Sequence, residues 1–241
     1  MSPITEAAQA GNLALLIKLR QEGHEFDVNT TSHAAKGGHL HCLRYLHENG
    51  VEWTQYAIEC AAKGGHLDCL RYLHENGCEW NEWASFNAAE NGHLDCLKYL
   101  HEHGCEWNNL AANYAAEGGH LECLKYLYEH GCQSNEWATY LAARNGHLDC
   151  LQYLFENGCP FKLADILSCL NKHIDKLDFD QHSWLRAFLF PHVESEDMPE
   201  ELKETCKAKI AQIALEKQAL ETELVDKLSL DVVKHCLCLF I

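Results

Sequence analysis

The chain has 241 residues, of which 47% are hydrophobic and 23% charged, so its composition is that of a protein with a buried core. It carries 19 basic and 36 acidic residues, a formal net charge of −17, which disfavours binding to nucleic acids and anionic membranes. No apolar run approaches the ~20 residues of a transmembrane helix, and the first residues lack a signal-peptide pattern. We therefore expect a protein of the cytosol or nucleus whose 14 cysteines stay reduced.

A repeat of 27 residues occupies about the first two-thirds of the chain. The tripeptide Gly-His-Leu recurs with its histidine every 27 residues, from His39 to His147. One further step back reaches Asn12, in a degenerate first copy that reads Gly-Asn-Leu. Six copies extend to about Phe161, and self-similarity at a fixed period is typical of repeat architectures.

Each copy predicts two short helices. The first carries a pair of alanines and ends at Gly-Gly or Asn-Gly, where glycine adopts a positive φ without steric cost. The second begins near the repeated histidine and has an acid such as Asp68 in its first turn, which suits the positive end of the helix dipole. It ends at a glycine such as Gly77, and the apolar Cys78 that follows predicts a Schellman-type stop.

The second helix has an apolar stripe that is too wide for one buried side. In the third copy Leu67, Cys69, Leu70, Tyr72 and Leu73 are all apolar, and such a helix is covered on both sides, as inside a stack of repeats. No copy has the alternating pattern of a β-strand. The sequence therefore predicts an all-α solenoid of six helix–turn–helix repeats, over residues 1–161.

These residues resemble a known family. The segment GHLDCLRYLHENG is similar to the second helix of ankyrin repeats, and the Ala-Ala pair with the Gly-His junction matches the ankyrin helix–turn–helix. An ordinary ankyrin unit has 33 residues and a Thr-Pro-Leu-His signature, so these copies are six residues shorter and lack that signature. They are most like the shortened, hairpin-poor arrays of large DNA viruses, amoebae and protists. The resemblance implies a protein-binding scaffold; it specifies no chemistry.

Cysteine and histidine within one copy suggest a second hypothesis, a zinc site. His66, Cys69, His74 and Cys78 are all possible ligands, but His74 lies over two helical turns beyond the first two, roughly 12 Å away. The position of His74 also becomes Phe155 in a later copy, which a structural zinc site would not survive. We expect no cofactor or metal, and we interpret the recurring cysteines as small buried apolar residues in a slot where ankyrin repeats usually carry valine. These cysteines are Cys42, Cys69, Cys96, Cys123 and Cys150.

The repeated histidines have two predicted places. The junction histidine of the His39 series is interpreted as a helix cap or as a hydrogen-bonding residue between copies. A second series, His47, His74 and His101, lies in the last turn of its helix, where a cation is mildly favoured, although simple surface filling explains it as well. Protonation of all 17 histidines would take the formal charge from −17 to about zero below a pH of ~6.5. We therefore predict self-association or precipitation near a pH of about 5–6.

The variable positions of a solenoid are those free to contact a partner, and here they cluster in the first helix. In ankyrin arrays the first helices line the binding face, which makes these positions the candidate surface, with aromatic anchors. An alternative for Trp83 and Trp137 is that they seal a short loop between copies. The tryptophan after each Gly-Cys-Glu is near-invariant and is interpreted as structural. The candidate partner-binding residues are Tyr56, Ile58, Glu59, Trp83, Ser85, Phe86, Ala112, Asn113, Trp137, Thr139 and Tyr140.

The last eighty residues lack the repeat. Residues 162–193 are predicted to form a helical cap on the array, and residues 194–241 an amphipathic helix and an apolar terminal helix. The closing segment LSLDVVKHCLCLFI resembles the opening of an F-box, or of the PRANC tail of some viral ankyrin proteins. That resemblance implies recruitment of a ubiquitin-ligase adaptor.

Function is predicted to be binding without catalysis. The sequence lacks the phosphate-binding, zinc-protease and hydrolase motifs GxGxxG, GxxxxGK[ST], HExxH and GxSxG. Residues 1–161 hold 9 basic and 21 acidic residues, a net charge of −12, which favours a basic protein partner and a salt-sensitive association rate. The alternatives are a substrate receptor of a ubiquitin ligase and a metal-binding protein that uses histidine and cysteine.

Overall fold

A computed structural model describes residues 2–107, 109–174, 178, 184–216 and 218–219. It divides into two compact units, one ending at Lys162 and the other beginning at Leu163. All regular structure in the described residues is helical, which confirms the predicted all-α class. Among the described helices, we find none with the length and hydropathy of a membrane span.

The first unit consists of six helix pairs, one for each copy of the repeat. The first helices are α1, α3, α5, α7, α9 and α11, and the second helices are α2, α4, α6, α8, α10 and α12. Their bounds are Pro3–Gln9 (α1), Leu13–Gln21 (α2), Val28–Lys36 (α3), Leu40–Glu48 (α4), Gln55–Gly64 (α5), Leu67–Glu75 (α6), Glu82–Glu90 (α7), Leu94–Glu102 (α8), Asn109–Gly118 (α9), Leu121–Glu129 (α10), Glu136–Asn145 (α11) and Leu148–Glu156 (α12).

The helix boundaries follow from local chemistry. Asn81 and Asn135 cap α7 and α11 by accepting a backbone N–H in the first turn. The second helices stop as predicted, since Gly77 has φ +86° and the Cys78 N–H donates to the Leu73 carbonyl at 2.9 Å, the geometry of a Schellman stop.

Helices of the same kind pack in register along the unit. Each first helix contacts the first helix of the next copy, and each second helix contacts its own partner and the second helix of the next copy. The alanine pairs, such as Ala61 and Ala62, are fully buried, and the small side chains let the first helices approach closely. The second helices bury Leu70 and Leu73 and their equivalents. The predicted solenoid of stacked helix pairs is confirmed.

The second unit is also helical where it is described. It contains α13 (Leu163–Lys172), α14 (Trp184–Leu189), a 3-10 turn (Phe190–His192) and a helix over 200–216. The last helix buries Leu202 and Cys206 but leaves Ile210 exposed. The closing segment that resembles an F-box lies outside the described residues, and the predicted capping of the array stays a prediction.

Candidate functional site

The first helices present a row of exposed large side chains at their N-terminal ends. One side chain comes from each of four consecutive copies, at steps of 27 residues. Their exposed fractions are 56% for Tyr56, 47% for Trp83, 38% for Leu110 and 56% for Trp137. This exposure argues against the alternative that the two tryptophans seal a loop.

A second set of aromatic rings lies one helical turn further along the same helices. Phe86 packs edge-to-face against Trp83, with ring centroids 5.2 Å apart, and against Tyr114 of the next copy at 4.6 Å. Tyr140 packs against Trp137 in the same way at 5.7 Å. These rings are half-buried and support the exposed row. We call the exposed row and these three supporting rings the first-helix surface.

The prediction that the residues three positions before the alanine pair contact a partner is wrong. The position three residues before the alanine pair is fully buried in all four copies, so it cannot reach a partner. It lies one turn before the alanines and faces the inside of the array with them. Polar side chains there bond to the loop that follows the second helix: Ser85 Oγ lies 3.1 Å from Cys105 Sγ, and Thr139 Oγ1 donates to the Pro160 carbonyl at 2.8 Å. The buried residues are Ile58, Ser85, Ala112 and Thr139.

The next position is accessible in three of its four copies. Glu59, Phe86 and Tyr140 are partly exposed, whereas Asn113 is only 3% exposed and its Oδ1 has no hydrogen-bond partner among the described residues. The prediction that Asn113 contacts a partner is therefore wrong. Tyr114, one residue on, takes part in the surface instead and was missed because its equivalents are not aromatic.

The helices that carry this surface are acidic. From α5 to α11 the first helices contain five acidic and two basic residues. Burial raises the pKa of the Glu59 carboxyl, and a hydrogen bond with the Asn81 side chain offsets part of this rise. Glu136 pairs with Lys162 at 3.1 Å, in a bond that is exposed and contributes little. The acidic residues are Glu59, Glu82, Glu90, Glu117 and Glu136.

The junction histidines hold successive copies together. Nε2–H of His66 donates to the Lys36 carbonyl at 3.0 Å, and the equivalent bonds join His39 to Gln9 and His93 to Lys63. Each acceptor belongs to the last turn of the first helix in the preceding copy, where carbonyls have no partner within the helix. The second helices show no cap by a histidine side chain. The predicted hydrogen bonding between copies is confirmed, and the histidine caps the end of the preceding first helix and not the start of its own second helix.

The second histidine series forms a ladder with tryptophan and tyrosine. His74 stacks on Trp80 with centroids 3.9 Å apart, and its Nδ1 hydrogen-bonds to the hydroxyl of Tyr99 in the next copy at 2.9 Å. Three such sets are present in the described residues. Because each tryptophan packs against a histidine of its own copy, the predicted structural role of these tryptophans is confirmed. We call this arrangement the aromatic ladder; its three sets are His47–Trp53–Tyr72, His74–Trp80–Tyr99 and His101–Trp107–Tyr126.

Comparisons with known proteins agree with this geometry. The ankyrin-repeat family matches residues 85–165 with a three-copy profile and residues 32–74 and 58–101 with a many-copy profile. The matched residues, 32–165, make up more than half of the chain. The chain belongs to the ankyrin-repeat family. A crystal structure of the ankyrin repeat domain of human ASB11 shares the fold with a TM-score of 0.55 and 24% identity, over 67% of this chain and 86% of that one. No curated protein matches the chain significantly.

The thiols of this ankyrin array are buried wherever the structure describes them. Burial raises the pKa of the Cys69 and Cys96 thiols to about 12. Such thiols are poor nucleophiles and poor metal ligands because the thiolate is disfavoured. Within the described ranges, no group of three His, Cys, Asp or Glu side chains could hold a metal ion.

Proposed function

We propose that this ankyrin array is a protein-interaction module that binds a partner on the first-helix surface. The row of four exposed large side chains, Tyr56, Trp83, Leu110 and Trp137, supports this proposal most directly. Large aromatic side chains dominate the energy of protein interfaces, and here exposed large side chains occupy the same position in four consecutive copies. The rings behind them hold the tryptophans in place, so little side-chain entropy is lost on binding.

We further propose that the partner is basic. The first helices that carry the surface hold five acidic and two basic residues, and the array as a whole is strongly acidic. A basic segment would be attracted to these carboxylates, and its cations can also lie over the exposed aromatic rings. The association rate should therefore fall as salt is raised.

A displayed peptide library tests this function. Selection against the intact chain is expected to enrich sequences that combine lysine or arginine with apolar residues. The double variant Trp83→Ala/Trp137→Ala should weaken binding of the best peptide by about 1,000-fold, since each anchor contributes ~2 kcal/mol and each ~1.4 kcal/mol is a factor of ten. Because both side chains are largely exposed, the fold should survive, which circular dichroism verifies. Binding that is unchanged in this variant but lost in a variant of the aromatic ladder would mean that the surface is wrong.

The ubiquitin-ligase alternative depends on the closing segment. It predicts that the full chain co-purifies with a ligase adaptor and that a chain truncated after residue 219 does not. Retention of the adaptor by the truncated chain would assign that contact to another part of the molecule.

A further inference from the structure

The aromatic ladder has a fourth ring in two of its three sets. In the set of Tyr99, the His103 imidazole stacks on the tyrosine ring at 4.0 Å and meets His74 edge-to-face at 5.4 Å. His130 does the same to Tyr126 at 4.1 Å and to His101 at 5.0 Å. Each of these histidines donates Nδ1–H to the carbonyl of its own tyrosine at 2.8 Å, so the ring position is fixed.

The set of Tyr72 lacks this ring. Asn76 occupies the equivalent position and donates to the Tyr72 carbonyl at 2.8 Å, the same bond that the histidines make. A cation lies over the tyrosine ring in all three sets: Arg44 is 5.3 Å over Tyr72, Arg71 is 5.3 Å over Tyr99 and Lys98 is 5.8 Å over Tyr126. The Asn76 side chain thus replaces the hydrogen bond of the histidine but not the rest of its ring.

A cleft lies beside the position of the missing ring, with Asn76 and His47 in its lining. It has a volume of about 400 Å³ and lies beside His47 and Trp53, whose ring centroids are 4.1 Å apart. The planes of that pair are inclined by 47°, against 27° and 30° in the two sets that have a fourth ring. We call this cleft the Asn76 slot; it is lined by His47, Gly50, Val51, Glu52, Trp53 and Asn76.

The other copies with asparagine at this position do not offer the same walls. Asn49 makes the same bond in its copy, but the positions of His47 and Trp53 are held there by Arg20 and Phe26, a cation over a ring. Asn157 also makes the bond, and its neighbouring copy has Tyr128 and Ser134 at those positions. Among the described residues of the array, a histidine–tryptophan pair that lacks the fourth ring thus occurs once.

We propose that the Asn76 slot binds the imidazole side chain of a histidine presented by a partner protein. In the sets of Tyr99 and Tyr126, an imidazole at this position packs on the tyrosine ring and against the ladder histidine, so the equivalent position beside His47 has the surroundings of an imidazole. Glu52 is among the residues that line the slot, and a nearby carboxylate favours a ring that carries a proton over a purely apolar ring. The slot lies outside the first-helix surface, so a partner that reaches both would be held at two separate points.

Nuclear magnetic resonance of the tryptophan indole N–H groups tests this proposal on the full chain. The probe is N-acetylhistidine methylamide, which mimics a histidine within a chain, and N-acetylalanine methylamide is the control compound. We expect the histidine probe to shift the Trp53 indole signal in a saturable way, while the alanine compound does not. The Trp53 signal is assigned with the Trp53→Phe variant.

Two substitutions make the test specific, because they exchange the residues found at equivalent positions of two copies, Asn76 and His103. Asn76→His supplies the missing ring and should reduce the Trp53 response to the probe by about tenfold or more, a loss of ~1.4 kcal/mol. His103→Asn removes the ring from the next set and should give the Trp80 indole a new response. Asn157→His, in a copy without the stacked pair, should leave the Trp53 response unchanged. Each exchanged residue already occurs at the same position of another copy, so these variants are expected to fold.

Several results would overturn the proposal. A Trp53 signal that does not move, or moves equally in the Asn76→His variant, would show that the slot does not bind the ring. If N-acetylphenylalanine methylamide binds as well as the histidine probe, the slot does not select an imidazole over another aromatic ring. Free histidine that binds more tightly than the blocked form would assign the slot to a metabolite instead of a partner's side chain.

Discussion

At the scale of single residues, the glycines before the second helix explain why the junction sequence recurs. Gly38 has φ +73°, and a Cβ there would lie 2.5 Å from Nδ1 of His66, because the imidazole of the next copy lies directly against the glycine. Any other residue would have to adopt a left-handed backbone and displace the ring that hydrogen-bonds to Lys36. The glycine and the histidine of the following copy therefore form one structural unit.

Two glycine substitutions separate the backbone effect from the contact. Gly38→Ala should destabilise the array by about 2–4 kcal/mol, since it combines an unfavourable φ with a steric clash. Gly77→Ala, where φ is +86° and no atom lies within 4 Å of the added Cβ, should cost only about 1 kcal/mol. Urea unfolding followed by circular dichroism measures both. Equal losses in the two variants would mean that the histidine contact contributes nothing.

The buried thiols give a second prediction at this scale. With the pKa of Cys69 and Cys96 raised to about 12 by burial, almost no thiolate is present at neutral pH, and the side chains are also inaccessible. We expect iodoacetamide to leave these two cysteines unmodified in the native chain and to alkylate them fully in urea, as read by mass spectrometry. Rapid native alkylation at either residue would contradict their placement in the core.

At the scale of helices, the sequence predicted the elements better than their contact residues. The Gly-His junction and the Gly-Cys stop set the helix ends through local chemistry, and both are visible in one copy. The burial of Ile58 and Ser85 could also have been inferred, because residues three and four positions apart share a helix face, and the alanine pair on that face has the small side chains that close helix packing requires. Variability between copies alone was a misleading guide to exposure.

The aromatic ladder could not have been predicted in the same way. Its hydrogen bonds join residues 25 positions apart, such as His47 and Tyr72, in successive copies. Which residues meet depends on the stacking distance and rotation of the helix pairs, which no single copy encodes. The only signal in the sequence was the near-invariance of the tryptophans, which indicated a structural role without naming the partner.

The ladder predicts that acid weakens the array. Burial lowers the pKa of His74 and His101, and the neighbouring His103 and His130 lower it further. A histidine whose pKa is lower in the folded state binds protons more readily when unfolded, so its contribution to stability is complete above a pH of ~6.5 and is lost as the pH falls towards the folded pKa. We expect the thermal midpoint to fall between pH 7.5 and pH 5.

The double variant His103→Asn/His130→Asn is the matched comparison. It removes the neighbouring imidazoles, and each new asparagine can still donate to the carbonyl of its tyrosine, as Asn76 does in its own copy. The fall in thermal midpoint between the two pH values should therefore be smaller in this variant than in the parent chain. A fall of the same size in both would show that repulsion between the paired imidazoles has no effect on stability.

At the scale of the whole molecule, the same histidines control the net charge. The formal charge is −17 with histidine neutral, and 17 histidines would cancel it when protonated. Mutual repulsion keeps a strongly charged protein monomeric, whereas a net charge near zero promotes association. Since the pKa values of His66, His74 and His101 are lowered, cancellation is completed only well below a pH of ~6.5.

We therefore expect light scattering from the full chain to rise as the pH is lowered from 7.5 into the range of about 5–6 and to reverse when the pH is restored. When the repulsion between molecules is lost, the exposed side chains of Tyr56, Trp83 and Trp137 can form apolar contacts between them. The Trp83→Ala/Trp137→Ala variant, which has the same charge, should scatter less at the same pH. Flat scattering across the range would refute charge cancellation as a cause of association, and equal scattering by the two proteins would place the contact elsewhere on the molecule.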